Sequence, residues 1–190
     1  MRPQYLFIVA LALGSAAPGC SPAAPRAVSA VAGLPEYTPE EATVFADLLT
    51  SAIFGLPREV PAKSDPALAL CAARADGIVL VRVSTVSRET LAGTRGYSLS
   101  LSVDPTPVSG MGLESPLDLL IGQGNPSLAR VQASNATLVG KRFILLFKRY
   151  ADAGEPKLHW RGEPDDPAVR HAIENAKALD AASSKPQAAP

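Results

Sequence analysis

The sequence predicts a mainly β domain with flanking helices, and three patterns carry that expectation. Residues 97–103, YSLSLSV, alternate apolar and polar without a fault. Residues 78–86, IVLVRVSTV, are rich in β-branched side chains, and residues 141–150, KRFILLFKRY, hold an apolar run of strand length. Alternation marks a strand with one buried face, and a short unbroken apolar run marks one buried on both.

Composition bounds the rest. A chain of 190 residues is long enough for one domain with a real core. Basic and acidic side chains balance at 18 each, so no global field recruits nucleic acid or an anionic surface. One Trp, four Tyr and five Phe do not supply a stacking platform for single strands or sugars.

The chain opens with Arg2, an apolar run from Tyr5 to Leu13, and the small residues Gly14 to Ala17. The run is too short to span a bilayer, which takes ~20 apolar residues. The order is that of a secretory signal peptide. It ends in Ala17-Pro18-Gly19-Cys20, which resembles the lipobox of bacterial lipoproteins, with Ala17 and Pro18 departing from the usual residues. The resemblance implies that Cys20 is lipidated and becomes the first residue of the mature chain. It also implies stable anchoring, and Ser21 after the cysteine points to the outer membrane. The competing expectation is ordinary secretion with Cys20 bridged to Cys71. The expected organisation is a signal peptide (1–19), a disordered Pro/Ala-rich tether (20–36), one globular domain (37–180) and a disordered tail (181–190).

Within the domain, YTPEEATVFADLLTSAIFG predicts one long helix. Thr38 caps it, Pro39 fits its first turn, Val44, Phe45, Leu48, Leu49, Ala52 and Ile53 share a face, and Gly55 ends it. Asp65-Pro66 opens a second helix through Leu68 and Cys71 to about Ala75, with the thiol as a small buried apolar group. Strands follow at 78–86, 97–103 and 115–122. A helix is expected over 125–135, opened by Asn125 or Ser127. Two more strands are expected at 141–150 and 157–161, and Asp166-Pro167 opens a last helix with Val169, Ala172, Ile173 and Ala176 as its apolar stripe.

Five strands with a helix between the third and fourth is the element order of the OB-fold, a small Greek-key barrel, and with terminal helices it resembles netrin-like modules. The alternative is an α+β antiparallel sheet packed by helices.

Chemistry-bearing residues are sparse. His159 alternates with Leu158 and Trp160 and is expected on a wet face. His171 falls opposite the last helix's apolar stripe. Neither has metal-ligand spacing to a cysteine. Glu163, Asp165 and Asp166 could hold a hard cation, but lack the ordered spacing of an EF-hand, and Asp166 reads as a helix cap. GQGNPS (122–127) lacks the lysine of a phosphate-cradling loop. Lys141-Arg142 and Lys148-Arg149 flank the fourth strand as gatekeepers, or as a site for an acidic partner.

The expected function is therefore that of a non-catalytic cell-envelope lipoprotein. It has Cys20 as its one assigned site, no cofactor and no metal. Its partners are a membrane through the anchor and an envelope protein or glycan. An exported hydrolase is the alternative and needs His159 or His171 beside a carboxylate in a cleft. Oligonucleotide binding is suggested only by the fold and is opposed by the charge balance.

Overall fold

The computed structural model describes residues 33–91 and 93–184. Cys20, the signal peptide and most of the tether lie outside the described residues, as do residues 185–190 of the tail. All five expected strands form: β2 (Gly77–Leu91), β3 (Thr94–Val103), β5 (Leu117–Ile121), β6 (Arg142–Asp152) and β7 (Glu155–Pro164). Two further two-residue strands, β1 (Leu48–Leu49) and β4 (Ser109–Gly110), bring the sheet to seven strands, which corrects the expected five. The order is β1-β7-β6-β2-β3-β5, with β4 on β2, and only β1 with β7 is parallel.

The sheet is curled and barrel-like, but its ladder does not close between β5 and β7. The cause lies in the segment expected to be one long helix. Only α1 (Pro39–Val44) is α-helical there, capped by Thr38 as expected. Asp47 takes a left-handed conformation (φ 51°), and Leu48 and Leu49 then pair with Arg161 and Gly162 of β7. Residues Ser51–Phe54 finish the segment as a 3-10 turn. The edge of β7 is thus occupied by β1. The turn after β5 holds β1 in place: the Asn125 side chain donates to the Asp47 carbonyl at 2.8 Å, and Ser127 Oγ accepts from the Leu49 amide at 2.7 Å. Side chains complete the curl where a strand ladder was expected.

Each face of the sheet has its own core. On the concave face Val79, Val81, Leu99, Leu101, Leu145, Phe147 and Trp160 pack with Val131 and Leu138 of α3 (Leu128–Leu138). On the outer face Ile78, Leu80, Ile144, Leu146 and Tyr150 are covered by α2 (Pro66–Arg74) and α4 (Pro167–Ser183). β6 serves both cores, as its two-faced apolar run predicts. The long stripe read on 44–53 is split between them: Val44 and Phe45 join the outer core, Leu49 and Ile53 the concave one. All four are buried, but the chain passes round the edge of β7 between the two pairs, so they cannot share one helix face.

The second and last helices form as expected. Asp65 caps α2 through the Ala67 and Leu68 amides, and Asp166 caps α4 through the Val169 amide. Helix α4 continues to Ser183, into the stretch expected to be tail. The domain also starts earlier than residue 37: the Ala151 amide donates to the Pro35 carbonyl at 2.8 Å, and Tyr37 N to the Ala151 carbonyl at 3.2 Å. Cys71 is a free, fully buried thiol in α2, and burial pushes it up to about 12.

Candidate functional site

Strand β7 carries a stripe of ionisable side chains. Leu158 and Trp160 pack with the concave core, so period-two alternation sends Lys157, His159, Arg161 and Glu163 to the other face. That face is not wet, which corrects the expectation for His159. Residues 36–65 fold over it, and His159, Arg161 and Glu163 are all buried. A strand's alternation says which side a residue takes; whether that side meets water depends on what lies across it.

His159 is sandwiched at the start of the domain. The Tyr37 ring stacks on it with centroids 3.5 Å apart and planes 7° from parallel. Nδ1 lies 2.8 Å from Asp47 Oδ2, while Asp47 Oδ1 accepts from the Trp160 amide at 2.9 Å. An ionised carboxylate only accepts, so this bond places the proton on Nδ1. Nε2 is buried without a hydrogen-bond partner among the described residues, 3.7 Å from Asp152 Oδ2. Burial raises the Asp47 carboxyl above the ordinary aspartate range, against the opposing pull of His159 and the Trp160 amide. The hydrogen bond from Lys157 lowers Asp152. Burial, with Asp47 and Asp152 nearby, pushes the Tyr37 phenol up to about 12.

Two residues along, the same stripe enters a ring of four charges. Glu163 accepts from Arg58 Nη1 at 2.7 Å, Arg161 Nε at 2.8 Å and Thr50 Oγ1 at 3.1 Å. Asp65 accepts from Arg58 Nη2 at 3.3 Å and Arg161 Nη2 at 3.0 Å, while its other oxygen caps α2. Two guanidiniums and two carboxylates balance. Glu163 is completely shielded from solvent, and a buried carboxylate at that depth persists only with such partners. A cavity of about 310 Å³ opens above the ring between Thr50, Val60 and Arg130.

The structure does not bring the acidic triplet together as a cation site. Glu163 belongs to the ring, Asp165 pairs with Arg170 and Asp166 caps α4. No cluster with metal-ligand geometry occurs among the described residues. His171 is exposed on α4, as its position opposite the apolar stripe predicts. The gatekeeper pairs are engaged locally: Lys141 donates to the Ile53 carbonyl and Lys148 to the Arg74 carbonyl, while Arg142 and Arg149 face Asp165 and Asp76.

Sequence reading missed Tyr37, Asp47, Arg58 and Asp65 as partners of β7. The alternating charges of 157–163 were a visible signal that this face needed compensation. Nothing local to residues 37–65 identifies them as its source, because the pairings span about a hundred residues of sequence, as between Arg58 and Glu163. No protein-family model matches the chain, and no curated protein or solved structure is significantly similar to it.

Proposed function

We propose that the protein is a lipid-anchored, non-catalytic module of the bacterial cell envelope that binds a protein or glycan partner. One observation supports this reading above the others. Backbone hydrogen bonds to β6 and the ionisable groups of β7 together fasten the beginning of the domain, residues 35–65, to the sheet. A domain hung on a tether takes its load at that junction. Hydrogen bonds at Pro35 and Tyr37, the Tyr37–His159 stack and the four-charge ring all reinforce it. The lipobox-like Ala17-Pro18-Gly19-Cys20 supplies the anchor at the other end of the tether. Fatty-acid labelling is expected to mark the wild type and not Cys20→Ala, and the variant is expected to leave the membrane fraction while keeping its fold. A wild type that takes up no lipid and fractionates as soluble would sink the anchoring.

The Asp47–His159 pair favours a second reading, an exported hydrolase. In this arrangement Nε2 is buried against Asp152 and has no hydrogen-bond partner, hydroxyl or thiol included, among the described residues. That geometry serves stacking and fastening better than proton abstraction from a bound substrate. The hydrolase reading requires an activity that disappears on replacing His159 and His171.

A further inference from the structure

We propose that the cleft between the projecting β2–β3 arm and α3 binds an oxyanion, a carboxylate or phosphate group, with Arg88 and Arg95 as its paired guanidinium clamp. The inference rests on the binding-module reading and names the chemistry that its partner presents.

The arm is left free by the sheet. Strand β6 pairs with β2 only over Gly77–Arg82, and β5 pairs with β3 only from Tyr97 to Leu101. Past Val83 on β2 and Tyr97 on β3 the two strands have only each other as ladder partners, and residues 87–90 are exposed. A bulge then decides which side chains face inward. Val83 lies opposite Leu101 and Val86 opposite Leu99, so β2 carries one extra residue between them. The extra residue reverses the alternation. Without it Arg88 would leave on the outer face; with it Arg88 lies opposite Tyr97, and Thr90 opposite Arg95, on the concave side. Arg88 and Arg95 are then diagonal cross-strand neighbours, ~7–8 Å apart at the backbone, within reach of one anion.

The space they face is a cleft of about 460 Å³. Its floor is Tyr97, only 6% exposed, with Leu128 and Gln132 of α3 across from the arginines. Among the described residues neither the Arg88 nor the Arg95 side chain has an ion-pair or hydrogen-bond partner. Of the other described arginines, Arg58, Arg74, Arg142, Arg149, Arg161 and Arg170 pair with carboxylates, and Arg82 and Arg130, which do not, lie outside this cleft. Glu89 is the one carboxylate at the rim, and its place opposite Gly96 puts it on the other face of the arm. Two uncommitted guanidiniums therefore converge on a concave surface of a chain whose net charge is zero. Their forked donors match the paired oxygens of a carboxylate or phosphate. Thr90 and Gln132 offer neutral donors beside them, and Tyr97 and Leu128 can take the apolar body that carries the anion.

Titration of the full chain with inorganic phosphate and, separately, with succinate tests this, against chloride at matched ionic strength. Saturable binding is expected, with NMR shifts at the Arg88 and Arg95 side chains and at the Gln132 amide. The stronger of the two probes identifies the group recognised. Arg88→Gln and Arg95→Gln should each weaken binding about tenfold, the loss of one charge-assisted contact, and the double variant should abolish it. Arg82→Gln removes another exposed charge from the same strand outside the cleft and should leave affinity unchanged. No saturable binding of either anion, equal weakening by Arg82→Gln, or an unaffected double variant would overturn the proposal. If the double variant still holds a membrane partner that the wild type holds, the cleft is overturned and the binding-module reading stands. If the chain binds the anion through Arg88 and Arg95 but takes up no lipid, the anchoring fails and the cleft stands.

Discussion

Glu163 accepts hydrogen bonds from two guanidiniums and a hydroxyl while fully buried. Removing it leaves Arg58 and Arg161 with Asp65 as their one remaining carboxylate. Glu163→Ala should cost about 3–5 kcal/mol, the usual loss when one partner of a buried pair is taken away. A loss below about 1 kcal/mol in denaturant unfolding would show the ring to be a surface-like arrangement. Asp47 acts with the opposite sign. Burial holds its folded-state pKa above the unfolded value, so the folded chain keeps a proton that the unfolded chain has already released. Stability owed to Asp47 therefore falls as pH rises from the ordinary aspartate range through the raised value, and returns on acidification. In unfolding measured from about pH 3 to about pH 7, wild type should gain on Asp47→Asn towards the acid end. A difference independent of pH would mean that the carboxyl is not desolvated. At this scale the sequence was legible where a residue acts on its neighbours. Asp65 and Asp166 cap the helices they precede. It was illegible for His159, whose neighbour Tyr37 lies far away in the chain.

Elements were legible in proportion to how locally their pattern is satisfied. The alternation of 97–103 and the apolar run of 143–147 survive intact because each strand buries the faces its own sequence marks. The segment 38–55 has a helical period and buries four of its six marked residues, Val44, Phe45, Leu49 and Ile53, yet it breaks at Asp47. Pairing of Leu48 and Leu49 with β7 gains ladder bonds and a covered edge that no local pattern encodes. That pairing depends on Gly162. A Cβ there would stand 2.7 Å from Leu49 Cδ2 and 3.3 Å from Ile53 Cδ1, both flexible side-chain ends. Gly162→Ala should cost about 1–3 kcal/mol, as overpacking does. Gly77→Ala should cost more, because its Cβ would meet the backbone carbonyl of Met111 and the Phe147 ring, and the Met111 backbone is tied down by its amide's hydrogen bond to the Asp76 carbonyl. Gly112 has open space around its missing Cβ, so Gly112→Ala should be neutral or stabilising by about 0.4–1 kcal/mol. The thermal midpoints should fall in the order Gly112→Ala, Gly162→Ala, Gly77→Ala. A reversal of the last two would mean that the Met111 backbone and the Phe147 ring yield more readily than the Leu49 and Ile53 side chains.

The whole molecule is two cores on one sheet, and β6 decides whether they behave as one. Leu145 belongs to the concave core and Ile144, its neighbour, to the outer core; both are completely buried. Neither core can lose β6 and keep its packing, so unfolding should be a single cooperative transition. The molecule carries its own reporters for this. Trp160, the one tryptophan, lies in the concave core, and α4, the longest helix, covers the outer one together with α2. Tryptophan fluorescence therefore follows one core, and helical circular dichroism largely follows the other. In wild type the two denaturation curves should superimpose. Leu145→Ala should cost about 2–5 kcal/mol, the range for emptying a packed leucine site. That cost should move both curves together, although the lost side chain touches only the fluorescent core. Ser100→Ala, half-buried on the polar side of β3, should move neither. If Leu145→Ala shifts the fluorescence curve and leaves the helical signal in place, the sheet does not couple its two faces. The charged layer under residues 35–65 would then be fastening the start of the domain to the outer half alone.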